Sequence, residues 1–130
     1  MAEYEYSEEV MEHFRNPRNV GEIKNPSGKG KVTSPVCGDV MELCIKVNSE
    51  GIITDAKFRT FGCGAAIASS SMLTELIKGK SVDEARKLTN ETVIKALGGL
   101  PKPKVHCSVL AEEGLRKAID DYESKMNEVK

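Results

Sequence analysis

Between residues 40 and 61 apolar and polar positions alternate along the chain. Met41, Leu43, Ile45 and Val47 alternate with Glu42, Cys44 and Lys46, and Ile52, Ala56 and Phe58 alternate with Asp55, Lys57 and Arg59. A period of two sends the two sets to opposite faces of a sheet, so both stretches read as strands with one buried and one wet face. The predicted strands run Val40–Val47 and Ile52–Phe61, joined by Asn48, Ser49, Glu50 and Gly51, residue types that suit a tight turn. A first strand is expected over Lys31–Val36, giving an antiparallel meander. The stretch 21–31, rich in Gly, Lys, Asn, Ser and Pro, has no apolar period and reads as a loop.

Outside this block the period changes to that of a helix. Ser7 can cap a short helix in which Val10, Met11 and Phe14 share a face, ending near Asn16 because Pro17 follows. His13, between Glu12 and Phe14, reads as solvated or partly packed. After Gly64 the small residues Ala65 to Ser71, then Leu73, Leu76 and Ile77, predict a helix lying close to the sheet, with Gly79 as its stop. Ser81 and Glu84 have capping-box spacing, Thr89 or Asn90 opens another helix, and Gly98 and Gly99 close it. Beyond Pro103 a long helix is expected, carried by Val105, Val109, Leu115, Ala118, Ile119, Tyr122 and Met126. Strands first and helices later imply an α+β fold: a three-stranded antiparallel sheet with helices packed on one face, an α/β sandwich. A length of 130 residues suits one domain spanning 1–130.

Composition narrows the function classes. Apolar residues make up 39% and charged residues 30%, while aromatics are 5% and Trp is absent, so the core must be aliphatic. With 19 basic and 20 acidic side chains the net charge is -1, which gives no electrostatic case for nucleic acid or an anionic membrane. No apolar run approaches a membrane span, and the N-terminal residues lack a signal-peptide pattern, so a cytoplasmic protein is expected. There cysteines with polar neighbours are better read as ligands or nucleophiles than as disulfide partners.

Three of the four cysteines fall at predicted transitions: Cys37 between the first two strands, Cys63 between strand and helix, Cys107 in the last helix's first turn. Gly38, Gly62 and Gly64 beside them would let the backbone bend around a bulky ligand. Soft thiolates favour zinc, Cu(I) or an iron-sulfur cluster, and the Asp39 carboxylate or the His106 imidazole could supply a fourth donor. The wide spacing selects no metal, and each cysteine alone could be a small buried hydrophobe. Cys44, within a strand, is read that way. Lys102 and Lys104, with the positive end of the last helix, would favour the Cys107 thiolate.

The stretches SPVCGDVMELCIKV (34–47), TFGCGAAIASSS (60–71) and KVHCSVLAEEGL (104–115), with YSEEVMEHFRNPRNVG (6–21), resemble iron-sulfur cluster scaffolds of the IscU type and the N-terminal domain of NifU. The resemblance covers nearly the whole chain. It implies a scaffold, not an enzyme, on which a transient 2Fe-2S cluster is built from iron and from sulfur supplied by a cysteine desulfurase, then passed to apo acceptor proteins. It implies Cys37, Cys63 and Cys107 as cluster ligands, Asp39 at the site, His106 as a candidate fourth ligand, and Cys107 as persulfide acceptor. Zinc could occupy the same donors. The chain could act as a monomer or a homo-oligomer.

One departure bears on partners. Many bacterial members carry LPPVK as a chaperone docking motif, whereas Leu100, Pro101, Lys102, Pro103 and Lys104 stand here. A charged Lys102 fits an apolar chaperone groove poorly, which weighs against a dedicated chaperone. Two other classes compete with the scaffold reading: a zinc-binding structural or regulatory module, and a thiol enzyme using Cys107 and His106. Adjacent helical residues point about 100° apart and rarely form a nucleophile-base pair, which weighs against the second class.

Overall fold

The computed structural model describes residues 7–34, 38–62, 64–100 and 105–129, with the side chains of 106, 107 and 127–129 outside the description. The elements are α1 (Glu8–Arg15), β1 (Gly28–Thr33), β2 (Val40–Val47), β3 (Ile53–Phe61), α2 (Gly64–Ile77), α3 (Val82–Arg86), α4 (Asn90–Ala96) and α5 (Val105–Val129). The strands form an antiparallel sheet in the order β1-β2-β3, the expected meander. Helices α2 and α5 cover one face, against β3 and against β1 and β2 respectively. The α+β expectation is met.

The inward set of β2, Met41, Leu43 and Ile45, is fully buried beneath these helices with Ala56 and Phe58 of β3. Each such aliphatic side chain removed from water contributes about 1.5–3 kcal/mol, so this layer carries much of the fold's stability. At the hairpin the pattern slips. A register irregularity pairs Lys46 with Asp55 but Val47 with Ile53, so Ile53, not the expected Ile52, faces the core. An extra residue on one strand reverses the parity beyond it. The turn is as expected: the Asn48 side chain accepts from the Glu50 and Ile52 amides at 2.9 and 3.0 Å, and Gly51 takes φ +80.

β1 starts three residues before its expected place and ends at Thr33. The reason is steric. A Cβ on Gly30 would lie 2.5 Å from both the Ala118 amide nitrogen and the Gly114 carbonyl oxygen, and one on Gly28 would collide with the Ala118 carbonyl. The strand needs glycine for α5 to lie against its backbone, and glycine hides a strand from propensity rules.

Two helix faces also differ from expectation. In α1 the buried residues are Val10 and His13, while Phe14 is 44% exposed. His13 Nδ1 lies 2.7 Å from Ser71 Oγ, and that hydroxyl also accepts from the Arg18 amide at 2.8 Å. The α1 face therefore turns a polar residue inward because α2 offers a serine there. In α5 Leu110 and Ala111 are buried, whereas Val109 is only partly so and Met126 is exposed. The capping box of Ser81 and Glu84 forms as expected, and Gly98 and Gly99 close α4 with positive φ.

Residues 19–27 are not a free loop. Gly21 donates to Phe58 and Phe58 to Asn19 along the free edge of β3, and at the other end Ser27 donates to Ile45. Between these anchors Lys46 Nζ holds the Asn25 carbonyl at 2.8 Å, so the segment crosses the outer face of the sheet. Cys44 points to that face yet is buried, in keeping with its reading as a packed side chain.

Candidate functional site at one end of the sheet

The register places Thr33, Val40 and Phe61 side by side across the sheet. The end of β1, the start of β2 and the end of β3 therefore share one edge. α5 runs antiparallel to β1: Gly28 faces Tyr122 and Ala118, Gly30 faces Ala118 and Gly114, and Gly114 approaches Val32. The start of α5 thus points toward the same edge, with Val105 roughly 13 Å beyond Gly114 at the helical rise. Leu100 packs on Ala65 and Ala66 in the first turn of α2, which brings Leu100 to this end as well.

Cys37 and Cys63, like Lys102 and Lys104, lie outside the described residues; for His106 and Cys107 the backbone is in α5 but the side chains lie outside. What can be described is their surroundings. Gly38 takes φ +76, and its amide donates to Ser34 O at 2.9 Å while Ser34 donates to Asp39 O at 2.7 Å. These two bonds tie Gly38 and Asp39 to Ser34. Asp39, partly buried, lies against Gly62: a Cβ there would be 2.8 Å from the Asp39 Cγ and Oδ2 and 3.0 Å from Ala66. Gly64 in turn lies under the Phe14 ring, which a Cβ would approach to 3.1 Å.

These glycines do different work from that expected. Gly38 does supply a left-handed backbone. Gly62 and Gly64 instead supply room, one for a carboxylate and one for an aromatic ring. Asp39 is the one predicted donor whose side chain is described, and it lies beside the residue that precedes Cys63. Among the described residues no group of three or more His, Cys, Asp or Glu side chains converges as a metal site. The remaining predicted donors are those outside the description.

Sequence reasoning missed Phe14 and Leu100 as walls of this end. Phe14 has the spacing of a core residue, so only the nearness of a glycine in α2 marks its place. Leu100, in a helix-breaking turn, carries no periodic signal at all. The His13 imidazole is held below its ordinary pKa of 6.5, first by burial and then by the nearby Arg18 charge, with Glu75 and Glu12 opposing. It is a neutral strut between α1 and α2.

Comparison with known proteins identifies the chain's family. The chain is 55% identical over 125 residues to the iron-sulfur cluster assembly scaffold protein IscU of Buchnera aphidicola subsp. Schizaphis graminum, covering 94% of this chain and 97% of that one. It is 56% identical over 123 residues to the protein of that name in Escherichia coli K12, covering 92% and 95%. IscU 1 of Archaeoglobus fulgidus is 56% identical over 124 residues, covering 95% of this chain and 80% of that one. The crystal structure of a NifU-like N-terminal protein from Brucella abortus shares the fold, with TM-score 0.73 at 22% identity over 92% of this chain and 94% of that one. Residues 5–129 match the family model described as NifU-like N terminal domain. With a match of that extent, on a sheet end walled by Asp39, Gly62 and Leu100, the chain belongs to the NifU-like N-terminal domain family.

Proposed function

We propose that this chain is a scaffold for iron-sulfur cluster assembly. It builds a 2Fe-2S cluster from iron and from sulfur supplied by a cysteine desulfurase, then hands it to apo acceptor proteins. The observation that carries this reading is the gathering of Asp39, Gly62, Gly64, Leu100 and the start of α5 at one end of the sheet. Asp39, Gly62 and Gly64 lie within two residues of Cys37 or Cys63, and the start of α5 carries Cys107. The relatives named IscU support the same reading.

On this reading Cys37, Cys63 and Cys107 hold the cluster, which is cargo and not a resident cofactor. Asp39 and His106 compete for the fourth position. A carboxylate or imidazole is a weaker partner for iron in a cluster than thiolate, so that corner is the one an acceptor thiol displaces. Cys107 takes the incoming sulfur: its thiolate attacks the outer sulfur of a donor persulfide, one S–S bond replaces another, and the donor leaves as thiolate. Conversion to sulfide then takes two electrons from a thiol or ferredoxin-type reductant. The positive end of α5 favours the thiolate. The chain is a carrier without turnover of its own, and it works in the cytoplasm, where thiols stay reduced. Zinc fits the same donors, so zinc in a purified sample is compatible with the scaffold. The altered LPKPK stretch argues for working without a dedicated chaperone.

The test is anaerobic reconstitution with a desulfurase, ferrous iron and cysteine. Cys37→Ser and Cys63→Ser abolish the visible chromophore, while Asp39→Ala keeps it and slows transfer to apo-ferredoxin about tenfold. A transfer rate unchanged by Asp39→Ala would remove the labile-corner role.

A further inference from the structure

The outer face of the sheet carries a shallow groove of about 530 Å³ whose walls include Val20, Val40 and Phe61 together with Lys31, Glu42 and Arg59. It begins at the site end, because Val40 follows Asp39 and Phe61 precedes Gly62. Phe61 is 83% exposed and Val20 is 54% exposed. A lone exposed aromatic needs no explanation, but one that shares a groove with two valines forms a contiguous exposed apolar patch, the kind of surface that marks an interaction site.

Cations outnumber acids on this face. Outward positions of the three strands bring Lys29, Lys31, Lys46, Lys57 and Arg59 together, against Glu42 and Asp55 of the sheet and Glu22 of the crossing segment. Glu42 is shared between Lys29 at 3.6 Å and Arg59 at 3.3 Å, and Glu22 also pairs with Arg59. Among the described residues Lys31 and Lys57 have no ion-pair partner. The face is therefore net positive although the chain as a whole carries -1. Such a patch attracts an acidic partner and speeds its arrival.

We propose that this face docks an acidic apo iron-sulfur acceptor protein, with Phe61 entering an apolar socket on the acceptor and Lys31 and Lys57 steering its approach. The proposal rests on the scaffold reading and names the surface through which the cargo leaves. Charge complementarity fixes the partner's sign, and position fixes its role. The groove adjoins the strand ends next to Asp39, the replaceable corner, whereas α5, which bears the sulfur-accepting Cys107, packs on the opposite face of the sheet. Donor and acceptor would then use different sides of one end.

The experiment uses a fluorescently labelled apo plant-type ferredoxin, an acidic acceptor, titrated with the full chain at low and high salt. Cluster loading from ferrous iron and sulfide is read separately by visible absorption. Phe61→Ala weakens binding about tenfold. The Lys31→Glu, Lys57→Glu double variant slows association about tenfold and flattens its salt dependence. Both variants load cluster as the unaltered chain does. Binding unchanged in both variants overturns the docking proposal, even where loading proceeds. Variants that slow desulfurase-dependent loading but leave acceptor binding intact also overturn it, since the face then serves the donor. A changed sedimentation of the chain alone overturns it in favour of a second copy. Failure of the unaltered chain to load cluster refutes the scaffold reading instead, independently of the binding titration.

Discussion

Helices α2 and α5 lie on the same sheet face but reach it by opposite means. In α2 the small residues belong to the helix: Ala65, Ala66, Ala68, Ser69, Ser70 and Ser71 are all buried. In α5 they belong mainly to the strand beneath, as Gly28 and Gly30 of β1, with Gly114 the helix's own contribution. The difference matters because backbone cannot yield as a side chain can. Where α2 meets the sheet, neighbours have rotamers to adjust; where α5 meets β1, two main chains fix its position. That lock sets how far the first turn of α5, with Cys107, extends past the sheet edge toward Asp39 and Gly62.

The comparison is broken most severely by filling the strand side. Gly30→Val would press on two backbone atoms of α5 and is expected to cost about 3 kcal/mol or more, read as a drop in the urea midpoint at constant m-value. The helix-side counterpart, Ala68→Leu, adds bulk where side chains can partly move, and about 2 kcal/mol is expected from the same titration. If the two cost the same, rigidity does not distinguish the two contacts.

This asymmetry also explains what was legible in the sequence. The run of small residues in α2 reads directly as a closely packed helix, because the helix bears the signal itself. β1 does not, because its inward positions hold Gly28 and Gly30, and their reason lies far along the chain in Gly114 and Ala118. Alternation located β2 fully, and misassigned Ile52 for Ile53 where the hairpin register slips. The candidate donors were legible as residue types at predicted transitions; Asp39 is the one whose side chain is described, and its place against Gly62 was not part of that reading. Phe14, Leu100 and the groove at Phe61 were not legible, since each gains its meaning from a neighbour that only the fold supplies. His13 was read as solvated or partly packed, and its burial was not legible because the serine that accommodates it sits on another helix.

Smaller effects sharpen the same contrast. Gly114 faces the Met41 thioether, a flexible side-chain end, so Gly114→Ala should gain helix propensity against a small displacement of Met41. The net change in unfolding free energy is expected within about 1 kcal/mol of zero, far below that of Gly30→Val.

The α1-to-α2 contact adds a pH dependence. Folding lowers the His13 pKa below its ordinary 6.5 through burial and Arg18, so between the two values the unfolded chain binds more protons than the folded one. Stability contributed by neutral His13 is therefore full above about 6.5 and is lost as the pH falls toward the folded value, with a slope of at most about 1.4 kcal/mol per pH unit. His13→Asn should flatten that part of the pH profile in urea titrations, and an unchanged slope would show that other groups dominate it.

The central claim is that one end of this sheet assembles and releases an iron-sulfur cluster. Anaerobic reconstitution with a desulfurase, ferrous iron and cysteine, followed by addition of apo-ferredoxin, tests it in a single cuvette. The account predicts a visible 2Fe-2S chromophore that the Cys37→Ser variant lacks and that apo-ferredoxin takes up. A chain that stays colourless, or colours equally well without Cys37, would contradict it.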